Sequence, residues 1–187
     1  MRYAQDHKAQ THQRILKEAS ARFRRDGIGA TGLQPLMKAL RLTHGGFYAH
    51  FKSKDDLVEK ALRVAADEAT AHSEKAFASH NALLAFIDLY LSTEHRNSPE
   101  KGCPLPTMSA ELGQRGVPSL ITDELLQGRL ESLEKALPGP NASEESIVML
   151  STLVGALVMS RSAQDPELSE RILSTAREWM KRQVNEA

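Results

Sequence analysis

A single cysteine, Cys103, in 187 residues excludes an internal disulfide and leaves no CxxC pair for a metal or redox site. No run of apolar residues approaches the length needed to cross a bilayer. The opening Met1-Arg2-Tyr3-Ala4-Gln5-Asp6-His7-Lys8 lacks the apolar core of a signal peptide, so a cytoplasmic protein with no membrane partner is expected. Histidines are scattered: neither His7 and His12 nor His72 and His80 have a metal-ligand spacing, and no metal or cofactor is expected. A nucleophile elbow, a phosphate-cradling loop and a paired-carboxylate motif are all missing, which argues against an enzyme. Strand-like alternation, internal repeats and low-complexity tracts are missing too.

With 41% hydrophobic and 26% charged residues the composition is that of an ordinary soluble globular protein. The formal net charge of zero conceals a division. Residues 1–65 hold 13 Lys and Arg against 6 Asp and Glu, and residues 66–187 hold 11 against 18. A basic N-terminal third joined to an acidic remainder is the electrostatic footprint of a nucleic-acid-binding module with a partner domain.

The chain reads as all-α, with about nine helices. Ile15, Leu16, Ala19 and Phe23 recur at helical spacing between Thr11 and Asp26, and Gly27 and Gly29 supply a stop. Thr31 stands three residues before Gln34 in a capping-box spacing, with Leu33, Leu36, Met37 and Leu40 as the apolar face of a second helix and Pro35 near its first turn. Arg41-Leu42-Thr43 is a tight turn into a third, in which Thr43 can cap and Phe47 and Phe51 share a core face. Thr43, His44, Gly45, Gly46, Tyr48 and His50 are thereby turned outward. Two adjacent glycines cost a helix about 1 kcal/mol each relative to alanine, which points to something approaching the backbone closely. Helix, tight turn and helix in this order is the helix-turn-helix layout, whose second helix enters the major groove by its N-terminal end.

Ser53 with Asp56 caps a fourth helix reaching to about Ser79. A fifth covers Leu83 to Leu91, a polar loop follows from His95 to Lys101, and a sixth runs from Pro104 to near Gly113. Pro118 opens a seventh, which Pro138-Gly139-Pro140 ends. Asn141 and Glu144 cap an eighth, and Asp165 and Pro166 start a ninth. Ser151, Gly155 and Met159 line one face of the eighth, and the ninth carries Ile172 and Trp179. Two adjacent apolar helices at this end are expected to form a subunit interface. Phe86, Tyr90, Cys103 and Met108 are candidates for lining an apolar ligand cavity, against the plainer reading of core packing. Cys103, just before Pro104 and a helix start, is also a candidate reactive thiol.

Residues 14 to 62, from Arg14-Ile15-Leu16 through Gly-Gly-Phe-Tyr-Ala-His-Phe-Lys-Ser-Lys, resemble the DNA-binding domain of the tetracycline-repressor (TetR) family. Gly-Cys-Pro-Leu before a helix, Val154-Gly155-Ala156-Leu157 and Asp165-Pro166-Glu167-Leu168 resemble features of many members. The resemblance implies a DNA-binding domain over 8–66 and a regulatory, ligand-binding and dimerisation domain over 67–187. It implies a homodimer joined by a four-helix bundle, a near-palindromic double-stranded operator, and an unidentified small-molecule inducer. By the same resemblance Tyr48 and Lys54 hold phosphates, His44, Gly45 and Gly46 face the groove, and Gln34 reaches a base or phosphate. Three positions depart from the commoner pattern: Arg41 where glycine is usual, Gly46 where a hydroxyl residue is frequent, and Pro35 in helix two. No Lys or Arg lies between Leu42 and Phe51, so phosphate attraction falls to Arg2, Lys8, Lys38, Arg41, Lys52 and Lys54. Two readings stay open beside a ligand-released repressor: a thiol-responsive repressor sensing through Cys103, and a helical protein-interaction module without DNA binding. Activation is open as well.

Overall fold

The first helix, α1, spans Arg2–Asp26, beginning well before the expected Thr11. No Gly, Pro or β-branched residue lies between Arg2 and Gln10, so helix propensity carries the winding back beyond the apolar face. The computed structural model describes residues 2–186, with side chains from Asp6 onward, so the side chain of Arg2 lies outside the described residues. Ile15, Leu16, Ala19 and Phe23 are buried as expected. The helix ends where Gly27 takes φ +88°, a left-handed conformation that suits glycine.

Helix α2, Leu33–Ala39, starts from Gly32, not from a side-chain cap. The expected Thr31–Gln34 capping box does not form. Thr31 is buried and its hydroxyl donates to the Gly27 carbonyl (2.7 Å), so it closes the turn after α1. At the far end of α2 the Leu42 amide donates to Met37 O (2.9 Å) and the Arg41 amide to Lys38 O (3.0 Å). This is the Schellman arrangement, and it requires a left-handed residue at position 41. Arg41 supplies it at φ 59°, which explains why glycine is usual there.

The third element is a short 3₁₀ winding over Gly45–Ala49, not an α-helix. Two glycines bring no side-chain contacts to hold an α-turn, and the tighter form serves short runs. Thr43 does cap it, its hydroxyl accepting from the Gly46 amide (3.2 Å). Phe47 and Phe51 are both buried, with ring centroids 5.4 Å apart. Ser53 then caps α3, Lys54–Phe77, by accepting from the Asp56 amide (3.1 Å), and Asp56 accepts in return from the Lys52 amide (2.9 Å).

Helix α3 runs unbroken through residues 66 and 67 and packs on α1 at one end and on α4 (Ala82–Tyr90) and α7 (Leu120–Ala136) at the other. The expected loop at His95 contains a short helix, α5 (Thr93–Asn97), started by Ser92 Oγ accepting from the His95 amide (3.0 Å). A π-wound turn over Leu105–Ser109 leads into α6 (Ala110–Gln114). Helix α7 opens at Leu120 with Ser119 as its cap, two residues after the expected Pro118.

Helix α8 spans Ala142–Ser162, without the expected side-chain cap from Asn141, and α9 spans Pro166–Glu186. Asp165 caps α9, accepting from the Glu167 amide (2.9 Å). By length and composition α8 is apolar enough to span a membrane, correcting the expectation that no segment reaches that length. It packs instead on α7 and α9. One continuous hydrophobic core reaches from Ile15 in α1 to Met180 in α9.

Candidate nucleic-acid interface and the cavity behind it

The outer face of the helix-turn-helix carries Gln34, Lys38, Arg41, Thr43, His44, Gly45 and Tyr48, all exposed. Tyr48 is 61% exposed. Its ring stands edge-on to buried Phe47 (5.2 Å) and to His44 (6.1 Å), so a rigid aromatic base presents the hydroxyl to solvent. Among the described residues nothing lies within 4 Å of where a Cβ on Gly45 would sit, whereas one on Gly46 would meet Thr43 Oγ1 at 3.2 Å. Gly46 is thus tied to the cap, while nothing inside the fold demands glycine at position 45.

Two residues expected on this face are turned inward. His50 is half-buried between α1 and the 3₁₀ winding, with its ring 6.0 Å from His12 and its Nδ1 buried without a partner. Burial, and then the neighbouring His12 and Lys8, hold its pKa below the usual histidine value. Lys54 donates from its ammonium to the Ile28 carbonyl (2.7 Å), pinning the start of α3 to the turn after α1. Lys8 and Lys52 are exposed at the flanks.

The head is clasped from behind by Glu111 of α6. Its carboxylate accepts from the Ile28 amide (2.6 Å) and the Gly29 amide (2.8 Å). A second tie comes from Arg24 of α1, almost wholly buried, which donates to Gly102 O (3.1 Å) and pairs with Glu68 (2.6 Å).

Gly102 and Cys103 border a cavity of about 190 Å³ between α3, α4, α5 and α7. Of the four residues singled out for a ligand, Phe86, Tyr90 and Cys103 line it, while Met108 is buried outside it. Cys103 is 7% exposed. Its amide donates to His95 Nε2 (3.1 Å), and His95 Nδ1 bonds the Tyr90 carbonyl (2.7 Å). Those two bonds require the neutral tautomer with its proton on Nδ1. Burial, partly offset by the Tyr90 carbonyl, brings the His95 pKa down to about 4. The ring fills the space over Gly102, where a Cβ would lie 2.6 Å from Nε2. Burial and the adjoining Cys103 push the Tyr90 hydroxyl well up from its usual value, so it stays protonated.

His95 and Arg129 escaped the sequence reading. Arg129 had a signal: it stands four residues from both Leu125 and Leu133, on the buried face of α7. His95 had none, because a Ser cap and a five-residue helix are hard to tell from a polar loop.

On the side away from the cavity, Ser151, Gly155, Met159, Ile172 and Trp179 come together on one face of α8 and α9. Ile147, Val148, Met159 and Trp179 are exposed there, Trp179 by 47%.

Residues 15–61 match the family model described as bacterial regulatory proteins, tetR family. An uncharacterised HTH-type transcriptional regulator of Mycobacterium tuberculosis is 25% identical over 169 residues, covering 82% of this chain and 85% of the relative. The HTH-type regulator YfiR of Bacillus subtilis is 27% identical over 86 residues, covering 46% of this chain and 42% of the relative. A TetR transcriptional regulator from Chloroflexus aurantiacus shares the fold, with a TM-score of 0.78 at 22% identity over 98% of both chains. The matched residues are those that build the helix-turn-helix and its junction with α3, so residues 15–61 resemble the DNA-binding segment of the tetR family, and the whole chain shares the fold of solved TetR regulators.

Proposed function

We propose that the protein is a repressor that binds a near-palindromic operator as a homodimer and is released by a small-molecule inducer. The observation that carries the DNA-reading half is Gly45. Its Cβ position is open, so the fold has no need of glycine there, and the bare backbone serves a close approach from outside. Gln34 and His44 then offer hydrogen bonds to base edges. Tyr48 holds a phosphate from its aromatic base, and Lys38, Arg41 and Lys52 add charge at the flanks. Residues 8–66 act as the reading head and 67–187 as the regulator.

The exposed apolar face of α8 and α9 supports a symmetric dimer, since two copies pairing there as a four-helix bundle bury it from water. Release is supported by the two ties between cavity and head. A ligand that displaces Gly102 or α3 acts on Arg24 directly, and through it on α1.

The test is a footprint and a binding titration on the DNA upstream of the gene, across a range of salt concentrations. Wild-type protein is expected to protect a two-fold symmetric segment with affinity falling steeply as salt rises. Gly45→Ala should leave thermal stability unchanged or slightly raised and weaken operator binding at least tenfold. Equal binding by G45A, or no preference over random duplex, would sink the reading.

A further inference from the structure

The cavity holds an unpaired cation. Arg129 is 5% exposed, yet its guanidinium makes one hydrogen bond, from Nη2 to the Ala69 carbonyl (3.3 Å), and its Nε has no partner. No carboxylate pairs with it among the described residues. Its other support is the face of Phe86, 5.2 Å away. Guanidinium stays charged in proteins and carries five N–H donors, so burying it with most of them idle is unfavourable unless something else fills the place. Tyr90 is in a similar position: it is 4% exposed, and no nitrogen or oxygen hydrogen-bonds its hydroxyl, whose nearest polar neighbour is the weakly bonding Cys103 thiol. Both residues line the same cavity.

Nothing else within the wall supplies the missing negative charge. His95 is held neutral by its two bonds, and Arg161 is spent on the carbonyls of His95 and Arg96. Glu94, at the rim, is exposed and makes no ion pair. Glu74 is exposed on α3 and forms no salt bridge to Arg129. A water's share of liquid volume is about 30 Å³, so the space admits about six waters or one compact organic molecule. Phe86 and Leu89 give that molecule an apolar wall.

Resting on the reading of this protein as ligand-responsive, we propose that the effector is a small apolar monocarboxylate. Its carboxylate is held by the Arg129 guanidinium and the Tyr90 hydroxyl, and its hydrocarbon body lies against Phe86 and Leu89. A planar carboxylate matches the guanidinium fork and uses the idle Nε–H. One buried cation calls for one negative charge.

The test uses the full-length protein and a panel of probes: butyrate to octanoate, benzoate and phenylacetate, each against its amide, by calorimetry and thermal shift. At least one acid is expected to bind and raise Tm, with its amide at least tenfold weaker. Arg129→Gln should abolish acid binding. Tyr90→Phe, which removes a single oxygen and keeps the ring packing, should weaken it several-fold. The proposal is overturned if no acid binds, if acid and amide bind alike, or if folded R129Q or Y90F binds the acid as wild type does. Operator DNA separates this from the broader reading. An acid that binds through Arg129 but leaves the protein on its DNA defeats release and leaves the anion site standing. A neutral molecule that fills the cavity and frees the DNA from R129Q as readily as from wild type defeats the anion site and leaves release standing.

Discussion

Glu111 reaches from α6 to the turn after α1 and accepts from two successive backbone amides, Ile28 at 2.6 Å and Gly29 at 2.8 Å. Replacing it with alanine leaves both donors without that partner. A hydrogen bond to a charged group contributes about 1.5–3 kcal/mol. Ile28 is buried, so its amide bears the full loss. Gly29 is exposed and recovers most of its bond from water. The expected loss for Glu111→Ala is therefore about 2–4 kcal/mol. For a chain of this length each kcal/mol moves Tm by roughly 2–4 °C, so a fall of roughly 4–16 °C is expected. Glu111→Gln should fall part of the way, because an amide accepts through one oxygen and turns an N–H toward the other donor. Thermal unfolding gives the size of the effect, and amide hydrogen exchange gives its place: Ile28 and Gly29 should lose protection while the core of α8 keeps it. If E111A melts as wild type does and both amides exchange at the wild-type rate, the clasp carries no free energy and the reasoning fails.

Three further outcomes are expected. The His95 pKa is depressed to about 4 from the ordinary 6.5, so the unfolded chain takes up a proton that the folded one refuses. The stabilisation is then complete above pH 6.5 and lost as pH falls toward 4, by up to about 3 kcal/mol. His12 and His50 are depressed as well and act in the same direction, so His95→Gln should flatten, not abolish, the slope of urea-unfolding stability against pH. Met159→Glu places a charge on the exposed α8–α9 face, and sedimentation should show a dimer dissociation constant raised at least a hundredfold with the helical signal intact; an unchanged dimer would rule this face out. Arg41→Gly should stabilise by about 0.5–1 kcal/mol, because relief of a left-handed side chain (about 1–2 kcal/mol) outweighs the added chain entropy of glycine. The same variant should shallow the salt slope of DNA binding by about 1 if Arg41 meets a phosphate, so DNA titrations of R41G check both parts of its role.

Local signals were the legible ones. Spacings of three and four placed Phe23, Phe47, Phe51 and Leu62 in the core, and the Ser53 and Asp165 caps formed where their side chains had an amide one turn on. The failures also have local causes. Thr31 had two backbone groups within reach and took the carbonyl of Gly27 over an amide of α2. Gly45 and Gly46 lacked the side-chain contacts that keep an α-turn, so the third element wound as 3₁₀. The bond from Lys54, which the resemblance assigns to a phosphate, to Ile28 O is a different case, since its acceptor lies 26 residues back in the chain and no local spacing encodes it.

By itself the sequence determined the helical class and the reading head, because a helix face, a cap and a left-handed turn depend on groups no more than about five residues apart. Only the tertiary structure decided where the cavity in the C-terminal half lies and which side chains line it. Tyr90, Cys103 and Arg129 come from separate segments of the chain and share no period. They meet only because α3, α4 and α7 pack around a space that none of them fills. The imbalance there, a buried cation and a hydroxyl that no nitrogen or oxygen bonds, arises from where neighbours end up once the core closes. No spacing along the chain encodes it.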